Sequence, residues 1–189
     1  MKKIILCVVA IFAFGYANAQ KAQFGIKAGV NFATLTGDVG DASSIVGFNV
    51  GGFAEIKVSE KFSVQPELLY STQGATLESE GQKVDFNLSY LNIPVMAKYY
   101  VAPKFNLEIG PQIGFLTSAK GKAMGISADM KDLFKSTDFG LNFGAGYDFT
   151  NKFSAGIRYN LGLSNIAEDS GDESAQNSVV SLSLGYKFN

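Results

Sequence analysis

The chain has 189 residues with one cysteine, no histidine and no tryptophan, and 16 Lys and Arg against 17 Asp and Glu give a formal charge of −1. Without histidine, a Ser-His-Asp triad, a histidine-dependent acyltransferase or protease, and a histidine zinc site are excluded. The near-even balance shows no basic bias toward nucleic acid or anionic lipid.

The first stretch, "MKKIILCVVAIFAFGYANAQ", carries Lys2 and Lys3, then an apolar run from Ile4 to Tyr16, then Ala17-Asn18-Ala19. A short positive start, an apolar run too short to span a bilayer comfortably and an A-x-A site predict a secretory signal peptide over 1–19. One domain is expected over 20–189. Its formal charge would be −3, and with Cys7 removed it would have no disulfide to staple it.

Alternation with period two then dominates. "FGIKAGVNF" places Phe24, Ile26, Ala28, Val30 and Phe32 on one face and Gly25, Lys27, Gly29 and Asn31 on the other. "FNVGGFAEIKV" sets Phe48, Val50, Ala54 and Ile56 against Asn49, Gly51, Phe53, Glu55 and Lys57. "FSVQPELLYS" sets Phe62, Val64, Leu68 and Tyr70 against Ser63, Gln65, Glu67 and Leu69. "VDFNLSYLNIPVMAKYY" changes apolar phase after Val84, Phe86, Leu88 and Tyr90, to Leu91, Ile93, Val95, Ala97 and Tyr99, which predicts a β-bulge near Tyr90.

"KFNLEIGPQIGFLTSAK" sets Phe105, Leu107, Ile109, Ile113 and Phe115 against Asn106, Glu108, Gln112 and Gly114. "FGLNFGAGYDF", "FSAGIRYNLGL" and "VSLSLGYKFN" repeat the pattern, with Asp148, Arg158 and Lys187 on their polar faces. These are eight strands of roughly ten residues, the length of a tilted membrane strand. Short turns near 59–60, 102–104 and 150–152 alternate with long polar loops near 34–46, 72–83, 117–137 and 164–178. The interleaving predicts an all-β, eight-stranded antiparallel up-and-down transmembrane β-barrel.

The apolar face is expected to meet lipid. Aromatics sit near strand ends, as interfacial girdles do. The polar face is rich in glycine and small residues, which suits a narrow lumen. Its charges have both signs and define a predicted lumen ion network: Lys27, Glu55, Lys57, Glu67, Lys98, Glu108, Asp148, Arg158 and Lys187. The rival arrangement is a lipocalin-like soluble barrel, with the same alternation turned inside out. Pro66, Pro94 and Pro111 fall inside adjacent strands, where local bulges are expected because proline gives no ladder donor.

The segments "FGIKAGVNFATLTGD" (24–38), "VQPELLYSTQGA" (64–75), "YLNIPVMAKYY" (90–100), "EIGPQIGFL" (108–116) and "STDFGLNFGAGYDF" (136–149) resemble the outer membrane β-barrel domain family, often labelled porin family or PorT-like. The resemblance covers essentially the whole mature chain, prolines included. It implies an OmpA/OmpX-like barrel in the outer membrane of a Gram-negative cell, with no catalytic residues. The terminal Tyr186-Lys187-Phe188 resembles the insertion signal read by barrel-assembly machinery, although Asn189 follows and Ser183 replaces the usual upstream glycine.

No catalytic, cofactor-binding or metal residues are assigned. Glu55, Glu67 and Glu108 are expected to serve a structural ion network rather than acid-base catalysis. The acidic stretch at 167–174, with Glu168, Asp169, Asp172 and Glu173, lacks EF-hand spacing and reads as a solvated loop. Met130, Leu133 and Phe134 after Ser127 suggest a short amphipathic helical turn. The expected role is structural or surface-interacting, through four external loops over a filled lumen. A narrow diffusion channel and a PorT-like accessory of protein secretion are the alternatives. Outer-membrane lipid, lipopolysaccharide, the assembly machinery and an unidentified external partner are the expected partners, and nucleic acid is not.

Overall fold

The computed structural model describes residues 22–38, 42–79, 82–123, 126–168 and 174–188. The predicted signal peptide and most of the acidic stretch at 167–174 lie outside them. The strands are β1 (Ala22–Gly37), β2 (Ala42–Lys57), β3 (Phe62–Ser79), β4 (Gln82–Ala102), β5 (Phe105–Ala123), β6 (Ile126–Asp129), β7 (Thr137–Asp148), β8 (Phe153–Gly162) and β9 (Ala175–Lys187). All pairings are antiparallel, and β1 pairs with both β2 and β9, so β1-β2-β3-β4-β5-β7-β8-β9 close into a ring of eight. The short β6 lies outside the ring and pairs only with the outer end of β5. No described helix is long and apolar enough to cross a membrane.

The pleat fixes which side faces out. Ile109 is 47% exposed, Ile157 51% and Leu184 67%. The neighbouring Glu108 and Arg158 side chains, of opposite parity, are only 8% and 10% exposed. The greasy face therefore points away from the barrel axis, and the inverted lipocalin-like arrangement is excluded. Exposed rings line the plain end, where the three short turns lie, among them Phe24, Tyr99, Phe105, Tyr147 and Phe153, while Phe32, Phe48, Phe115 and Phe139 lie toward the opposite, ornate end. Closing the ring leaves no unpaired edge to meet hydrocarbon.

The ornate end differs from the expected long loops. β1 runs on to Gly37 and β2 starts at Ala42, β3 runs to Ser79 and β4 starts at Gln82, and β5 continues to Ala123. Polar side chains do not interrupt a backbone ladder, so these hairpins keep pairing beyond the length that a bilayer requires. The three short turns are where the sequence places them, between β2 and β3, β4 and β5, and β7 and β8.

β4 does not change phase. Leu88, Tyr90, Asn92, Met96 and Lys98 are all buried on its inner face. The change in hydropathy records a change in what fills the bore, from apolar beside Leu88 and Tyr90 to polar beside Asn92 and Lys98. An irregularity does occur there, but the extra residue belongs to β5. Ser89 pairs with Ser118 and Tyr90 with Leu116, leaving Thr117 between them. The Thr117 hydroxyl donates to the Ser89 carbonyl at 2.9 Å.

The prolines cause interruptions without bulges. Phe53–Glu67 and Ile56–Val64 keep one register across the gap at Pro66. Pro66–Val95 and Leu69–Asn92 do so across Pro94, and Pro94–Gln112 and Ala97–Ile109 across Pro111. Each proline is paired with the following strand and unpaired with the preceding one. Its missing N–H faces that preceding strand, and the ladder resumes beyond it.

Candidate functional site

The bore is the only part of the fold in which charged side chains converge out of water among the described residues, and it is built in layers. Nearest the plain end, Glu55 from β2 receives Lys187 at 2.8 Å and Lys98 at 3.4 Å. The Tyr100 hydroxyl lies 2.6 Å from Glu55 Oε1 and 3.2 Å from Asp148 Oδ2, offering one proton to two carboxylates. Lys187 also approaches Asp148, at 3.5 Å.

Above this layer, Glu67 from β3 is the hub. Arg158 donates to it through both terminal nitrogens, Nη1 to Oε2 and Nη2 to Oε1, each at 2.9 Å. The same guanidinium donates through Nε to Glu108 Oε1 at 2.8 Å, and Lys27 donates to Glu67 Oε1 at 2.8 Å. Such a fork satisfies two carboxylates with one planar cation. Gln65 joins the layers, donating to Glu67 Oε1 at 2.7 Å and accepting from Lys98 at 3.1 Å. Four cations thus meet four carboxylates, and their desolvation is offset by mutual pairing and hydrogen bonds.

Farther out lies an amide layer. Asn31 donates to the Phe48 carbonyl, Ser71 Oγ and the Thr72 carbonyl, and its own oxygen accepts from Asn49 and Ser181. Asn160 donates to Asn142, which donates to Gln112. Cavities of about 30 Å³ lie on either side of the Arg158 layer, lined by Asn31, Asn49 and Asn92 on one side and Gln65, Asn106 and Gly146 on the other. Each is water-sized and polar.

The ornate end is closed by an apolar plug. Leu35, Leu88, Tyr90, Leu116, Ala119 and Ile166 are buried together, with Phe134 and Ala167 packed against them. The predicted amphipathic turn contributes Phe134, whose ring lies 6.1 Å from that of Phe86. It is a single 3-10 turn, Lys131–Leu133, and Ser127 does not cap it. Ser127 lies in β6, and Asp129 Oδ1 instead accepts from the Lys131 N–H at 2.9 Å.

Of the nine residues selected from sequence for the network, eight meet in these layers. Lys57 does not: it is the last residue of β2, exposed at the plain mouth, because the strand ends before its side chain can enter the bore. Three further inward groups line the bore without having been assigned to the network, Gln65 among them although it is placed on the polar face of its strand. Gln65 and Tyr100 share the inward parity of Glu67 and Lys98, and Asp138 shares that of Asn142 and Asp148. Buried Asp138 accepts from Asn177 at 2.9 Å and from Ser164 at 2.7 Å, beside the plug. Parity alone could have found all three. Tyr186 and Phe188, selected as an insertion signal, meet edge-to-face with ring centroids 5.9 Å apart at the plain rim, with Phe188 54% exposed.

A closed eight-stranded ring with an apolar exterior and a charge-filled bore defines the class of outer-membrane β-barrels. The family described as outer membrane protein beta-barrel domain matches residues 18–168, and the chain belongs to it. Its place is therefore the outer membrane. Among solved structures, Neisserial surface protein A is similar at a TM-score of 0.60 and 17% identity, over 88% of this chain and 99% of that one. Ail, the attachment invasion locus protein of Yersinia pestis, is similar at 0.54 and 17% identity, over 89% of this chain and 99% of that one. At this identity they attest the fold. A search of curated proteins returned no match.

Proposed function

We propose that this outer-membrane barrel works through its external face, as a surface-interacting or structural protein with a closed lumen, and not as an enzyme or an open pore. The observation that carries the reading is the Arg158 fork on Glu67 and Glu108, which ties β8 to β3 and β5 across the bore. The plug around Ile166 closes the outer end a second time. The similar barrels are described as a surface protein and as an attachment invasion locus protein, which suits a displayed face.

The partner's chemistry follows from charge. The segments 34–46, 72–83, 117–137 and 164–178 carry ten carboxylates against five lysines. A cationic partner, or lipopolysaccharide bridged by divalent cations, complements such a surface. The aromatic pair Tyr186 and Phe188 is the proposed handle for the assembly machinery. In planar bilayers the purified protein should give no large, stable conductance, and large conductance steps would refute the closed-lumen reading.

The second reading is a narrow diffusion path, favoured by the polar voids on either side of Arg158. If ions pass there, Arg158→Gln changes the reversal potential in a salt gradient. An unchanged potential rejects it.

A further inference from the structure

The overall charge hides a local asymmetry at the opposite end. All three short turns re-enter the barrel on the same dipeptide: Lys61-Phe62, Lys104-Phe105 and Lys152-Phe153. With Lys57, and among the described residues, this rim carries four exposed lysines against one exposed carboxylate, Glu60, while Asp148 is half-buried in the mouth. Among the described residues, none of the four lysines has an ion-pair partner, and Lys104 reaches only the Phe149 carbonyl, at 3.2 Å.

The phenylalanines supply the depth. Phe105 is 38% exposed and Phe153 56%, both on the lipid side within the aromatic belt. Such a belt sits at the interface between hydrocarbon and head groups. A lysine one residue before each ring therefore starts at the level of the lipid phosphates, with a flexible stem long enough to round the rim to its lipid side while its ammonium stays wet. Short turns face the periplasm in barrels of this type. Three turns spaced round one rim repeat the arrangement, as expected for contact with a lipid annulus rather than with one bound molecule.

We propose that Lys57, Lys61, Lys104 and Lys152 form a ring that holds anionic phospholipid head groups of the periplasmic leaflet and so anchors the barrel vertically. The ammonium groups pair with lipid phosphates, and the adjacent phenylalanines hold the rim at the depth where those phosphates lie. Each lysine near an anionic surface contributes, and the contribution is screened by salt. Lys57, Lys61 and Lys104 also border a mouth of about 840 Å³, which a soluble polyanion would enter instead.

The test compares unfolding rates, read from the heat-dependent gel shift, in phosphatidylcholine vesicles with and without phosphatidylglycerol. The wild-type chain should unfold roughly tenfold more slowly with phosphatidylglycerol at low salt, an advantage lost at high salt. The K57Q/K61Q/K104Q/K152Q variant should match wild type in neutral vesicles and show no such advantage. K120Q/K122Q, altered at the other end, should keep it. Equal phosphatidylglycerol dependence in wild type and the fourfold variant would overturn the proposal. So would equal protection of wild type in neutral vesicles by soluble polyglutamate, which would indicate a ligand in the mouth. If the fourfold variant fails to insert, single variants at Lys61 and Lys104 should each lose part of the advantage, and no loss in either overturns the proposal.

Discussion

Glu108 and Arg158 pair across a strand to which neither belongs. Glu108 on β5 is in register with Gly144 on β7, and Gly144 is in register with Arg158 on β8. The Nε to Oε1 contact of 2.8 Å closes directly over that glycine. A Cβ at Gly144 would lie 2.8 Å from Glu108 Oε1 and 2.7 Å from the Ile157 carbonyl. Absence of a side chain is thus a condition of the ion pair. It gives the "GAG" of β7 a reason beyond strand propensity, for which glycine is a poor choice.

Gly144→Leu should therefore cost more than strand propensity predicts. It pushes the Glu108 carboxylate off the Arg158 fork and leaves a buried charge short of a partner, a loss of about 3–5 kcal/mol. Urea unfolding of the refolded barrel in detergent, followed by the gel shift, measures it. A change near zero would show that the fork has room to move aside.

Glu67 holds three donors at once, from Lys27, Gln65 and Arg158. Glu67→Gln alone strands Lys27, leaves Arg158 with Glu108 as its one carboxylate partner, and should destabilise by about 3–5 kcal/mol. Adding Arg158→Met removes one of those cations, so the double variant should lose less than the sum of the two single losses, by about 1–3 kcal/mol. The same urea assay on all four proteins tests this cycle. Strict additivity would mean that the two residues do not act as one unit.

The strand pattern made the wall of the barrel legible, because lipid outside and a packed bore inside impose period two with few exceptions. It also placed eight of nine network residues, since a charge on the inward parity of a membrane strand has nowhere else to go. Lys57 failed because parity says nothing about where a strand ends. β4 misled for a different reason. Leu88 and Tyr90 are apolar and inward, so a rule equating apolar with lipid-facing read a change of filling as a change of phase. The plug involves Ile166 and Phe134, far from Leu88 in sequence, and no local pattern announces such contacts. The proline interruptions were expected as bulges. A missing donor, however, removes a bond without adding a residue, so register survives.

The plug should carry measurable stability although it lies outside the charged layers. Ile166 is fully buried against Leu88, Tyr90 and Leu116. Ile166→Ala should cost about 2–5 kcal/mol through lost burial and the cavity left behind. Tyr90→Phe, which removes a long 3.4 Å contact with Asn177, should cost only about 0.5–1.5 kcal/mol. If the two changes were equal in the unfolding assay, polar contacts rather than packing would be closing the outer end.

Depth along the lipid face gives the sharpest test of orientation. Leu182 is 49% exposed and pairs with Val30 and Ile157, well inside the apolar band. Val58 is 60% exposed but lies just past the end of β2, at the rim. Arginine at a bilayer midplane position costs about 2–4 kcal/mol and near an interface about 0–1 kcal/mol. Leu182→Arg should therefore destabilise the barrel in vesicles by the larger amount and Val58→Arg by the smaller. In a detergent whose chains are shorter, the Leu182→Arg penalty should shrink, because the guanidinium reaches water by a shorter path. Equal penalties at the two sites, independent of the surrounding hydrocarbon, would mean that these side chains do not face lipid at all.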